Sequence, residues 1–285
     1  MTTDQMSADM PSTDMPGTDM LSASATSALP QGKAAPVDRS RDASLDLARA
    51  LLKERQGLGA RYDSADAPHD TLLWARRGTA FFARALCDLT DEELYQPSLL
   101  PGWTRAHVVA HVAYNARALA RLLQWARTGE QCPMYASLKQ RNIEIERGSS
   151  LPPRALRHLF DHSAVHLDVE WRDLPQGHWD RQVTTIMGRS VPVSQTAWMR
   201  TREVWIHAVD IAGRASGASF VDFPRGVLDR LAGEILDTWK ARGEVVDIAD
   251  VHGDLADVVR WLTGRGARRL TTTQGGQLPQ LPRWL

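Results

Sequence analysis

Four stretches of this chain repeat apolar side chains every three or four residues, and that period constrains the fold more than any other feature. They run from Asp70 to Leu89, Thr104 to Thr128, Pro153 to Leu174 and Ser194 to Ala212. A 3.6-residue period held that long predicts helices that each bury one face, and four of them predict a bundle. In the second stretch Val108, His111, Val112, Asn115, Leu119 and Leu122 share a face. Thr104, after Pro-Gly-Trp, is its expected N-cap, and Gly129 its stop. In the third, Pro152-Pro153 puts proline where a missing amide hydrogen costs least, and Leu156, Leu159, Phe160 and Leu167 form the apolar face.

The segments between and around these helices are uneven. Residues 129–150 have room for a short helix around Lys139 to Glu146 that covers a site. The polar stretch from Gly177 to Val193, with Val183-Thr184-Thr185-Ile186 and a turn at Gly188, predicts a two-stranded hairpin. Residues 1–43 read as a disordered leader, in which an Asp-Met pattern recurs at Asp9, Asp14 and Asp19 without helical or strand period. Residues 44–69 read as a short helix and linker. Ser44 caps Leu45 to Gln56, Leu45, Ala48, Leu51 and Leu52 form a docking stripe, and Gly57 and Gly59 end the helix. The bundle occupies 70–214. Residues 220–285 are expected to form a small α/β domain, with a helix from Pro224 to Lys240, a β run Val245 to Ile248, a helix from Asp254 to Leu262, and a tail pinned by Trp284. The fold class is mainly α.

Composition excludes several partners. The 34 Lys and Arg balance the 34 Asp and Glu, giving a formal net charge of +0, and no long basic block supplies a nucleic-acid footprint. Nowhere do 18 apolar residues run together, so no bilayer span is expected. The leader carries four aspartates, at 4, 9, 14 and 19, before its first basic residue, Lys33, which is the reverse of an export signal. Cys87 and Cys132 make no disulfide framework, so a reducing cytoplasm is expected for a monomer or weak homo-oligomer. Cys87, between Leu86 and Leu89, reads as a small buried hydrophobe, and Cys132, before Pro133 in the segment expected to cover the site, has a place from which it can come near it.

The sharpest chemical signal is Glu203 and His207, four apart and so on one helical face. His111 lies mid-helix on an otherwise apolar face, from which it can converge on that pair. Two histidines and a glutamate match the protein ligands of a catalytic zinc centre with a fourth position open. The bland alternative makes His111 and His207 satisfied core histidines and pairs Glu203 with Arg200 or Arg202. His158, His162, His166 and Glu170 form a rival stripe. Three ligands along one straight helix span about 12 Å, too far for one tetrahedral ion, so at most a neighbouring pair serves, and a solvated face explains the stripe as well. His107 at the helix start packs most simply on Trp103. Trp103, Trp125, Trp171, Trp198 and Trp205 read as core and interface fillers, since no basic stripe interleaves them.

Two segments carry a family resemblance. Leu100-Pro101-Gly102-Trp103-Thr104-Arg105-Ala106-His107 through His111 to Asn115, and Met199-Arg200-Thr201-Arg202-Glu203-Val204-Trp205-Ile206-His207 through Asp210, are similar to the signature helices of the mycothiol-dependent maleylpyruvate isomerases, a branch of the DinB-like metal-binding four-helix bundles. The likeness runs from about Asp70 to Trp284-Leu285. It implies a divalent metal, usually zinc, on His111, Glu203 and His207, and a low-molecular-weight thiol cofactor, mycothiol, with glutathione left open. It also implies catalytic roles for Arg141, in Gln140-Arg141-Asn142 above the metal, and for Arg260, the position matched in Val259-Arg260-Trp261-Leu262-Thr263-Gly264-Arg265-Gly266, a segment similar to the one that reaches an arginine into the family's active site. Tyr114, Asn115 and Tyr135 are the candidates to orient a ligand or bind the thiol. The chain departs from the family in its leader and in having less strand-forming sequence between Lys240 and Arg260.

The implied reaction is cis-trans isomerisation of maleylpyruvate, a small dicarboxylate, to fumarylpyruvate in gentisate-type aromatic degradation. Rotation about the double bond needs its temporary loss, which addition of a thiolate supplies. Arginines suit the two anionic ends, because guanidinium stays charged and presents a planar fork. Another metal-dependent small-thiol transferase on the same scaffold, or a non-enzymatic metal-stabilised binding or regulatory protein, are the alternatives.

Overall fold

In the computed structural model, which describes residues 47, 48, 50, 51, 62–212, 217–244, 246–273 and 275–284, each long apolar period becomes a helix. Helix α1 spans His69–Cys87 and buries Leu72, Ala75, Gly78, Phe82, Ala85 and Leu86 at the expected spacing. Helix α2, Arg105–Thr128, begins at Thr104, whose extended backbone lets its hydroxyl accept the His107 N–H. The His107 ring accepts the Thr104 N–H in return, a capping box with histidine in the place usual for Glu or Gln. Gly129, at φ 80, closes α2 in the left-handed region. The 129–150 segment carries the short helix α3, Leu138–Ser149, capped by the Ser137 hydroxyl. Helix α4 is Pro153–Arg172 and α5 is Gln195–Ile211.

The four long helices pack α1 along α5 and α2 along α4, and α2 also touches α3 and α5. Gly78 permits the α1–α5 approach: a Cβ there would lie 2.5 Å from Nε1 of Trp205 and 2.5 Å from Cγ2 of Val204. The Trp205 indole stacks on Phe81 at 4.9 Å and donates to the Trp74 carbonyl at 2.9 Å. Between α4 and α5 the polar insert forms the expected hairpin, strands β1 Gln182–Thr184 and β2 Ser190–Pro192 pairing antiparallel.

Beyond the bundle come α6, Arg225–Ala241, strand β3, Val251–His252, helix α7, Leu255–Leu262, and strand β4, Thr271–Thr272. The expected strand at Val245 to Ile248 does not form over its described residues, 246–248. Local turns take its backbone groups instead: Asp247 accepts the Ala249 N–H, and Val251 donates to the Ile248 carbonyl. Pairing falls on β3 with β4, leaving a sheet of two short strands. Trp284 is 5% exposed, as expected of a pinned terminus, and its ring lies 5.9 Å from the Arg202 guanidinium of α5.

Cys87 is exposed, against expectation. Phe82, Ala85 and Leu86 take the inward positions of α1, and Cys87 falls a further 100° round the helix from Leu86. The leader, Ser44 and Gln56 lie outside the described residues. Leu47, Ala48, Ala50 and Leu51 are helical and exposed. No helix among the described residues is long and apolar enough to cross a membrane.

Candidate metal centre

Helices α2 and α5 bring His111, Glu203 and His207 together. Nε2 of His111 lies 2.8 Å from Oε2 of Glu203, and Nε2 of His207 lies 3.2 Å from the same oxygen. One ligand atom from each residue fits within 4.8 Å of the others, and among the described residues this is the one group of three or more such side chains that does so. His111 is 8% exposed. Trp103 presses its ring edge against His111 at 5.6 Å and stacks on His107 at 6.2 Å, so Pro-Gly-Trp-Thr both caps α2 and walls the site.

The electrostatics follow from burial and from the shared carboxylate. Burial pushes the His111 imidazole below its ordinary value, against the pull of Glu203. Burial alone would raise Glu203, but the two histidines prevail and hold its carboxyl well below the usual range. Burial likewise opposes a charged His207, yet hydrogen bonds to Asp210 and Glu203 raise it to about 9. Asp210 is one turn on from His207 and accepts its Nδ1–H at 2.7 Å, leaving Nε2 facing the cluster. A carboxylate fixing the far nitrogen of a histidine is the usual support of a metal ligand. The donor set, its mutual spacing and this support all fit a divalent ion.

Arg141 reaches the site from α3, its Nη2 3.2 Å from Nδ1 of His111. A guanidinium only donates, so in this arrangement Nδ1 is the bare nitrogen and Nε2 carries the proton offered to Glu203. Tyr135 is buried, and burial keeps its phenol protonated beyond the ordinary range while it feels the charges of Arg141 and Glu203. Tyr135 also lines a cavity of ≈ 180 Å³ with Trp125, Ser137 and Thr184, but none of the three donors borders it, so the chemistry lies elsewhere.

Other candidates are placed differently. The Asn115 carbonyl oxygen accepts from Arg200, and the Tyr114 ring faces Arg117 at 5.7 Å. Arg260 gives its Nε–H to the carbonyls of Arg265 and Gly266. The arginine that reaches the cluster from the C-terminal part is Arg265, whose Nε and Nη2 clasp Asp210 at 3.1 and 2.7 Å. Sequence reasoning missed it, because Arg265 sits in no periodic element. Its signals were its place in the Val259 to Gly266 segment, whose site arginine was matched to Arg260, and the flanking Gly264 and Gly266, both at positive φ. The alternative partners of Glu203 are engaged elsewhere, Arg202 with Glu234 and Arg200 with α2. His158, His162 and His166 run exposed along α4, successive rings 6.2 and 6.4 Å apart, and His166 leans to within 3.6 Å of Glu170. Cys132 contacts Gln124, thirteen residues along α2 from His111 and so about 20 Å away along the axis.

The sequence pattern of the mycothiol maleylpyruvate isomerase N-terminal domain matches residues 75–212. Two solved structures are similar to the chain, each with a TM-score of 0.71 and 43% identity over 76% of this chain and 96% of theirs. One is a crystal structure of the mycothiol-dependent maleylpyruvate isomerase, the other that of a variant with one histidine replaced by alanine. No curated protein matches the chain.

Proposed function

The chain belongs to the mycothiol-dependent maleylpyruvate isomerase family, and on that premise we propose that it isomerises maleylpyruvate to fumarylpyruvate in gentisate-type aromatic degradation. The observation that carries the proposal is the convergence of His111, Glu203 and His207 from two helices on one small volume. Two imidazoles and a carboxylate favour zinc and leave a coordination position for an exchangeable ligand. When bound there, the metal would supply a site at which a small thiol, mycothiol in this reading, is deprotonated at neutral pH.

The protein's own groups have definable parts in this chemistry. Asp210 holds His207 by Nδ1 and so aims its Nε2. Burial raises the Asp210 carboxyl, but its hydrogen bonds with His207 and then Arg265 prevail and hold it below the ordinary carboxylate value. Arg141 is the cation nearest the cluster from above, and we assign it the binding of a substrate carboxylate or the developing enolate oxygen. Tyr135 stays a neutral hydroxyl and therefore a hydrogen-bond donor at any physiological pH. Arg260 acts on the site through the loop it braces around Arg265. Neither cysteine is bonded to another, which suits a reducing cytoplasm.

The test is to load the purified protein with zinc and follow maleylpyruvate with mycothiol, with glutathione and with no thiol. Conversion that requires a thiol is expected, fastest with mycothiol. A zinc-loaded protein inert with every thiol would refute the isomerase reading and favour a metal-stabilised binding protein.

A further inference from the structure

Arg200 lies on α5 one turn before Glu203, and its side chain is among the largest that are fully enclosed, at 0% exposure. Its Nη1 donates to the Val112 carbonyl at 2.6 Å and to Oδ1 of Asn115 at 3.2 Å, both on α2. Its Nη2 is equally buried and meets no partner. No carboxylate forms an ion pair with Arg200 among the described residues, and Glu203 is the first acid whose charge it feels. A hydrocarbon of similar size would be cheaper to bury than this cation, so stability does not account for it.

Its place in the fold does. Val112 follows His111 directly, and Asn115 is one turn on. The guanidinium therefore ties the α2 turn that carries His111 to the α5 turn that carries Glu203, bridging the two helices that must hold one ion between them. We infer that Arg200 is a positioning residue for the metal centre: a buried strut that fixes the spacing of His111 from Glu203 and His207. The inference rests on the metal reading of that cluster. It does not depend on which thiol or acid the protein uses.

The experiment measures zinc affinity by chelator competition, together with the melting temperature, for the full-length protein and its variants prepared metal-free. Arg200→Met removes an unpaired buried charge and is expected to melt near the parent while losing zinc affinity by roughly tenfold or more, the scale typical of groups that orient ligands. Arg200→Lys keeps the charge and can reach one acceptor, and is expected to recover affinity to within roughly threefold of the parent. Zinc affinity within roughly twofold of the parent in Arg200→Met would overturn the inference, as would a loss that tracks the melting temperature and is not recovered by lysine. Should Arg200→Met fail to fold, Asn115→Ala retains the cation and removes one anchor. It is expected to cost roughly threefold in affinity, and no loss there overturns the strut equally. A parent protein that binds no zinc would instead bring down the metal reading, and this inference with it.

Discussion

His207 sits between two carboxylates, and that position fixes how the site must respond to pH. With its value raised to about 9, the free protein holds a proton on His207 at neutral pH. A metal needs the bare nitrogen, so binding must expel that proton. Apparent zinc affinity should therefore rise with pH from 7 toward 9 and level off above, as far as this group is concerned. Calorimetry at pH 7 in buffers of different ionisation heat should show about one proton released per zinc, and no buffer dependence would contradict the assignment. Arg141→Lys keeps a charge but loses the planar fork, and should lower kcat/KM by roughly tenfold or more, about 1.4 kcal/mol, with zinc content unchanged. A parent-like rate would remove Arg141 from the reaction. The Glu203 and His207 pair was legible because residues four apart share a helical face, and His111 was joined to it by the family resemblance. Arg265 was not legible, since a coil carries no period, and its grip on Asp210 joins residues 55 apart in the sequence.

Among the elements, the four long helices begin and end within two residues of the bounds their periodicity gave, because Thr104, Pro153 and Gly129 mark their ends chemically. The short strand expected in the C-terminal part behaved otherwise. Val245 to Ile248 has strand-like residues, but a strand needs a partner, and the partner of this region, Thr271–Thr272, lies opposite Val251 and His252. Cys87 shows a smaller failure of the same kind, where adjacency to Leu86 suggested burial and one residue of rotation put the thiol outside. The α1–α5 contact gives a direct test of packing. Gly78→Ala places a methyl 2.5 Å from both Trp205 and Val204, two and one residues from the ligand Glu203. It should destabilise the fold by about 1–3 kcal/mol in denaturant melts and weaken zinc binding as α5 shifts. Parent-like values for both would mean that the helices are less tightly seated than the structure implies.

For the whole molecule, the bundle is a frame that brings His111, Glu203 and His207 together from two helices, and the C-terminal part is a brace behind it. Arg265 reaches Asp210 from beyond α7, and Trp284 docks near Arg202 on the same helix as the ligands. The DinB-like bundle was readable from periodicity and resemblance; the brace depends on contacts between residues more than fifty apart and was readable only in part. The central claim is that His111, Glu203 and His207 hold a single ion with a position left for a thiol. Zinc-edge X-ray absorption of the loaded protein, before and after adding mycothiol, tests this most directly. Nitrogen and oxygen scatterers are expected at about 2.0–2.2 Å with imidazole outer-shell signals, and a new sulfur scatterer at about 2.3 Å once the thiol is present. A spectrum without histidine signals, or one that mycothiol leaves unchanged, would contradict it.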